Sequence, residues 1–230
     1  MKQPDNTTPF DAAQYAQGIQ STMPFYDVFH AQIIDLVRTV KPDVRTWLDT
    51  GCGDGGLIEK AWPHFPGATF YAADPADSML SEAKARLKSI PQRNLVMVGA
   101  AGTEDLELGK GVQPEIISAI LSHHYLDRDG RRRATKKCFD LLAENGVYIT
   151  FENIHPDTSE GLGIGLDRWK RFQIAEGREP ETVEKHVSRF NRSYFPITRE
   201  EHLSLLRESG FRVAEPFWLS YLQGGFYAIK

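Results

Sequence analysis

The segment LDTGCGDGG, residues 48–56, constrains this 230-residue chain more than any other. An apolar approach through Val44, Trp47 and Leu48 ends in an acid, Asp49. Four glycines then fall within six residues: Gly51, Gly53, Gly55 and Gly56. Helix-compatible residues follow (Leu57, Ile58, Ala61). Strand, tight turn and helix N-terminus in that order let bare backbone approach a nucleotide-like ligand in an α/β fold. Gly51, Gly53 and Gly56 match the dinucleotide pattern G-x-G-x-x-G, and Gly51, Gly53 and Gly55 match G-x-G-x-G equally well. Asp49 closes the strand and Asp54 sits inside the turn. A pyrophosphate is repelled by both acids, whereas a cationic ligand is not.

The stretch resembles the first motif of the class I S-adenosylmethionine-dependent methyltransferases. The resemblance continues in order through FYAADPADSML (70–80), EIISAILSHHYL (115–126), LLAENGVYITFEN (141–153) and TREEHLSLLRESGF (198–211). This ordered series is far more specific than the glycine turn alone. It implies S-adenosyl-L-methionine as cofactor, S-adenosyl-L-homocysteine as product, and a seven-stranded sheet whose last strand is antiparallel.

Spacing alone gives a coarser picture. A loose tail is expected over residues 1–9. Helix follows to residue 40, broken at Pro24, with Phe25, Val28, Phe29, Ile33, Leu36, Val37 and Val40 at three- and four-residue steps. Strands are expected near 46–50, 69–73, 94–98, 116–121, 147–152, 212–219 and 225–229. Helices are expected near 55–62, from an Asp77 N-cap to 88, near 129–143, and to 209 behind the capping-box pair Thr198 and Glu201. Alternating strands and helices predict an α/β fold: a Rossmann-like, mostly parallel sheet with helices on both faces. The division expected is a binding core at 46–152 and 196–230, an N-terminal helical arm at 1–45, and a helical insertion at 153–195. The arm and the insertion are expected to form a lid over the carboxyl ends of the strands, hinged on a glycine loop at Gly161, Gly163 and Gly165.

Composition narrows the partners. The chain is 41% hydrophobic and 25% charged, with a formal net charge of −4. No overall basic balance favours nucleic acid. The run Arg131, Arg132, Arg133, Lys136, Lys137 reads as the solvated side of a helix. Two distant cysteines, Cys52 and Cys138, form no zinc or disulfide pattern, and a cytoplasmic setting is expected. No apolar run approaches membrane-spanning length. The scattered histidines show no metal-binding spacing, so no metal is expected.

Cofactor contacts are expected at Asp49, Gly51, Cys52, Gly53, Asp74, Pro75, Met79, Ala101, Gly102, Thr103 and Ser122. Asp74 ends the second strand, where a carboxylate can accept both ribose hydroxyls. Its spacing from the turn also fits a nicotinamide dinucleotide. The resemblance implies the ribose role and puts Met79 over the adenine. Many relatives carry an acid for the adenine amino group after the third strand. Here the sequence reads GAAGTEDL, the acid is displaced to Glu104 or Asp105, and backbone at 101–103 is the alternative.

His123, His124 and His155 are the candidate bases, since imidazole titrates near neutrality. Tyr15, Tyr26, Tyr125, Glu152 and Trp169 are candidate substrate contacts, and Arg168, Arg171, Arg189 and Arg192 offer cations for an acidic substrate. The absence of N-P-P-Y or D-P-P-Y after the fourth strand weighs against DNA adenine methylation. The reading is methyl transfer to a small molecule. RNA (tRNA base) methylation is the alternative, and nicotinamide-dependent oxidation or a non-catalytic nucleoside binder are weaker ones.

Overall fold

The computed structural model describes Thr8 and residues 10–230, so the expected tail at 1–9 lies almost wholly outside the described residues. Seven strands form one sheet: β1 (Thr46–Thr50), β2 (Thr69–Asp74), β3 (Leu95–Ala100), β4 (Ile116–Ile120), β5 (Val147–Asn153), β6 (Val213–Ser220) and β7 (Gln223–Ile229). Their order is β3-β2-β1-β4-β5-β7-β6. Pairings from β3 across to β5 are parallel, and β7 runs antiparallel to both neighbours. The chain enters at β1, winds outward to β3, then crosses back to β4 on the other side of β1. The point between β1 and β4 is therefore a topological switch, the crevice where such sheets hold ligands.

The central strands read as near-continuous apolar runs because helices cover both faces. All of β5 is buried. On one face pack α2 (Tyr26–Val40), α3 (Gly56–Ala61) and α4 (Asp77–Arg86), in a core containing Phe29, Ile33, Trp47, Ile58, Phe70 and Phe151. Phe29 stacks on Phe151 with ring centroids 4.0 Å apart. On the other face pack α5 (Arg128–Leu141) and α8 (Arg199–Glu208), around Leu48, Ile117, Cys138, Tyr148, Leu206 and Phe226. The expected Thr198–Glu201 capping box is present.

Three additions surround the carboxyl ends of the strands: α1 (Ala12–Thr22), α6 (Ser159–Ala175) and α7 (Pro180–Val187). Trp169 of α6 donates its indole N–H to the Thr22 carbonyl (2.7 Å), fastening α6 to the end of α1. Among the described residues, no helix is long and apolar enough to cross a membrane.

Three expectations fail here. Gly161, Gly163 and Gly165 are not a loop or hinge but lie within α6. Thr158 caps that helix by accepting the Gly161 N–H at 3.0 Å. Gly165 permits close packing, since a Cβ there would stand 2.4 Å from Leu222 Cδ2. Asp77 is not an N-cap but the first residue of α4, whose cap position is Ala76. Arg131 is not solvated; it is 3% exposed, and only part of its basic run faces water.

Candidate active site

The glycine turn has the strained backbone that its composition demands. Gly51, Gly53 and Gly55 all take positive φ (68°, 55° and 79°), the left-handed region that a side chain disfavours. A Cβ on Gly51 would also meet Ser122 Cβ at 2.4 Å. Over Gly53 the space is open as far as Met79 Cε at 3.7 Å and Tyr15 Cε1 at 4.0 Å. Asp74 ties the turn to the end of β2. Its Oδ2 accepts the Gly53 N–H at 2.9 Å, and its Oδ1 accepts the Ala76 N–H at 2.9 Å.

Asp49 is 2% exposed. Its Oδ1 accepts the Ser118 hydroxyl at 2.5 Å, and Ser118 in turn accepts the Trp47 indole N–H at 2.8 Å. Burial pushes the Asp49 carboxyl up to about 7, although the Ser118 hydrogen bond works against the rise. Asp54 is spent differently from the sequence argument. Arg86 pairs with it at 2.6 Å, so it presents no free charge, and Asp49 and Asp74 are left to set the sign of the turn.

A cavity of about 30 Å³ lies over the turn, walled by Asp49, Gly51, Gly53, Tyr15, Tyr26 and His30 among others. That is room for a water or two. Tyr15 of α1 forms part of its wall. The residues suit an adenosyl amino acid. Bare backbone at Gly51 and Gly53 is flanked by two acids. The Ser122 hydroxyl beside Gly51 is buried with no partner among the described residues, and so is Nδ1 of His30. Burial takes the His30 imidazole down to about 3, so it stays neutral.

The remaining cofactor candidates divide. Cys52 is buried and donates its N–H to the Ala73 carbonyl at 2.9 Å. Ala101 and Gly102 are partly exposed beside Asp74, with the Ala101 N–H 3.3 Å from the Asp74 carbonyl. Pro75 is exposed. The Thr103 side chain is turned inward, 2.6 Å from Thr50 Oγ1 and 3.0 Å from His123 Nε2.

A second cavity, also about 30 Å³, lies beside the first between α1, α6, α7 and the ends of β4 and β5. Its walls include Phe10, His124, Tyr125, Asn153, Trp169 and His186. The two cavities share Tyr15 and Leu121. Leu121 takes a positive φ of 54°, a costly conformation for a non-glycine residue and one that collects at functional sites.

The histidines are separated by their neighbours. His124 faces the second cavity, and its Nδ1 lies 2.7 Å from Glu152 Oε2. This contact outweighs the 3.4 Å approach of the Asn153 N–H to the same nitrogen and makes Nδ1 the protonated one. Nε2 has no hydrogen-bond partner among the described residues. Glu152 is fully buried and accepts the backbone N–H groups of both His123 (3.1 Å) and His124 (3.0 Å). Burial alone would raise its carboxyl; the bond and charge of His124, with His123 and Arg131, bring it down to about 2.

His123 is not brought to either cavity. Thr103 and the Tyr148 hydroxyl, each 3.0 Å away, engage both ring nitrogens on the opposite face of the sheet. Burial lowers it to about 4. His155 is partly buried, with Nδ1 2.6 Å from the Pro156 carbonyl and its ring near Phe190. Among the substrate candidates, Tyr15, Tyr125 and Trp169 meet at the second cavity, Tyr26 lines only the first, and Glu152 lies behind His124. Leu121, His30 and His186 escaped the sequence reading. A buried histidine on a helix face carries no local signal that separates it from a solvated one, and an apolar residue after a strand carries none for a positive φ.

Three comparisons bear on this geometry. A family model described as a methyltransferase domain matches residues 48–148, from the end of β1 into β5. The carboxy-S-adenosyl-L-methionine synthase of Methylococcus capsulatus is 24% identical over 220 residues, covering 92% of this chain and 88% of its own. The dTDP-4-amino-2,3,4,6-tetradeoxy-D-glucose N,N-dimethyltransferase of Saccharopolyspora spinosa is 22% identical, covering 92% and 83%. The S-adenosylmethionine-bound structure of CalS10, an amino pentose methyltransferase from Micromonospora echinaspora, superposes with a TM-score of 0.63 at 18% identity, covering 96% and 98%. Residues 48–148 thus carry a methyltransferase domain, and the chain shares the Rossmann-like fold of S-adenosylmethionine-dependent methyltransferases.

Proposed function

We propose that this chain methylates a small acceptor enclosed between α1, α6 and α7, with His124 facing the accepting atom. One observation carries the reading: the cavity over the glycine turn and the cavity at His124 abut, divided only by Tyr15 and Leu121. In it, Asp74 and the backbone of Gly51 and Gly53 hold the nucleoside and amino-acid parts of the cofactor, Asp49 faces the ammonium, and Ala101 and Gly102 offer backbone to the base. S-adenosylmethionine supplies, when bound, a methyl group already activated on a sulfonium. The chain's own work is to align the acceptor, exclude water and receive a proton. His124 Nε2 is the receiving atom, and Glu152 fixes the tautomer and stabilises the protonated ring.

An enclosed aromatic pocket and a net negative chain support a small acceptor over RNA. The division into a core, an N-terminal arm and a 153–195 insertion belongs to the same proposal, with the arm as the mobile part. Its hinge is the Met23–Phe25 joint, where Phe25 takes a φ of 59°, rather than the helical glycines of α6. The reaction is tested by incubating the protein with methyl-labelled S-adenosylmethionine and either a small-metabolite extract or bulk RNA. Label appearing in the metabolite fraction is expected; label in RNA alone contradicts the reading. Hydrogen exchange tests the arm: S-adenosylhomocysteine is expected to protect α1, and protection confined to the turn and Asp74 contradicts the closure.

A second reading comes from the Methylococcus relative, whose name gives a carboxylated form of the same cofactor as its product. Mass spectrometry of the ligand carried through purification separates the two. A carboxylated adduct supports this second reading, and unmodified S-adenosylmethionine or its demethylated product supports the first.

A further inference from the structure

The run RDGRRR opens α5, and i, i+3, i+4 spacing puts Arg128, Arg131 and Arg132 on neighbouring positions of its first two turns. Arg131 is 3% exposed, and among the described residues no carboxylate lies within ion-pairing distance of it. Its Nε donates to the His123 carbonyl (3.1 Å) and its Nη2 to the Phe195 carbonyl (2.6 Å); Nη1 has no hydrogen bond among the described residues. Glu152 and Glu201 attract it through space, but a buried guanidinium whose direct hydrogen bonds go to neutral carbonyls is costly to keep. Among the described residues Arg128 makes no ion pair, and Arg132 approaches Glu208 only at 3.8 Å across an exposed surface.

These three arginines line a cavity of about 250 Å³ between α5 and α8. Pro196, Ile197, Leu205 and the 42% exposed Phe195 supply its apolar wall, and Asn191 and Ser204 add neutral polar groups. Glu201 and Glu208 also line it; Glu201 is committed to the α8 cap, accepting the Thr198 N–H at 2.8 Å, and Glu208 faces Arg132. No residue of this cavity lines either cavity of the candidate active site.

We propose that the α5–α8 cavity is a second binding site, which takes a small organic anion with its carboxylate or phosphate on Arg128, Arg131 and Arg132 and its apolar body on Phe195 and Leu205. Forked guanidinium donors suit either anion. The volume suits a ligand of roughly one aromatic ring with its acid group. The site is also wired to the other one. Arg131 clamps the His123 and Phe195 carbonyls, and the Phe195 N–H donates to the His124 carbonyl at 2.7 Å. An anion on Arg131 thus bears on the backbone that carries His124.

The test is calorimetry with phenylacetate and with phenyl phosphate, in the presence of S-adenosylhomocysteine, with benzyl alcohol as the neutral control. At least one anion is expected to bind, to weaken with added salt, and to bind the Arg128→Gln/Arg132→Gln variant roughly tenfold less tightly. The two acids separate a carboxylate site from a phosphate site. Both changes are on exposed side chains outside the active site, so an unchanged melting temperature shows an intact fold. Failure of both anions to bind, equal affinity for the double variant, or equally tight binding of benzyl alcohol overturns the proposal.

Discussion

His124 Nδ1 stands 2.7 Å from Glu152 Oε2, with the ring at the wall of an aromatic pocket and the carboxylate sealed beneath it. The arrangement leaves Nε2 as the basic atom and gives the protonated ring a counter-charge. Glu152→Gln keeps the shape and removes the charge. It is expected to lower kcat by about ten- to a hundredfold and leave S-adenosylhomocysteine affinity unchanged. An unchanged kcat with a lower melting temperature assigns Glu152 to the fold alone.

The same carboxylate sets an acid limit on stability. Its folded pKa of about 2 lies below the ordinary value of 4.5. Its contribution is fully present above about pH 4.5 and is lost as pH falls towards 2. Between pH 5 and 3 the wild type is therefore expected to lose more stability than Glu152→Gln. Parallel denaturation curves in that window are the check.

Asp49 behaves in the opposite sense. Its carboxyl rises from 3.8 to about 7, so the folded chain binds that proton more tightly than the unfolded chain does. On this group's account, stability falls as pH climbs from about 4 to 7. A cationic ligand favours the ionised form, so S-adenosylmethionine binding below pH 7 is expected to release a proton. Affinity is expected to rise up to about tenfold between pH 6 and 8. Calorimetry in buffers of different ionisation enthalpy reads the proton directly, and Asp49→Asn should abolish both effects.

The glycines of α6 separate a rigid helix from a hinge. Nothing lies within 4 Å of a Cβ placed on Gly163, whereas one on Gly165 meets Leu222. Gly163→Ala is expected to stabilise the fold by about 0.5–1 kcal/mol through helix propensity, with turnover unchanged. Gly165→Ala is expected to cost about 1–3 kcal/mol through overpacking. Lost activity in a stabilised Gly163→Ala protein would restore the hinge.

These positions also mark where sequence was legible. The turn at Gly51–Gly56, the end of β2 at Asp74 and the Thr198–Glu201 box are set by local chemistry, and each stands where its residues put it. The α6 glycines misled because Thr158 and the contact with Leu222 override a weak local preference. His123 and His124 are indistinguishable as letters. Pairing of β4 with β5 separates them by bringing Tyr148 to one ring and Glu152 to the other. The pairing of Asp54 with Arg86 was hidden for the same reason: 32 residues of chain separate them.

The central claim is that the glycine turn and Asp74 hold S-adenosylmethionine. Titration calorimetry of the wild type, Gly53→Val and Asp74→Asn with S-adenosylhomocysteine and with NAD tests it most directly. The account predicts one S-adenosylhomocysteine per chain and much weaker binding of NAD. It also predicts a loss of about 1.5–3 kcal/mol in Asp74→Asn, the scale of a hydrogen bond to a charged group, and none of the binding in Gly53→Val. Tight NAD binding with no response to S-adenosylhomocysteine, or full affinity in the folded Gly53→Val protein, would contradict it.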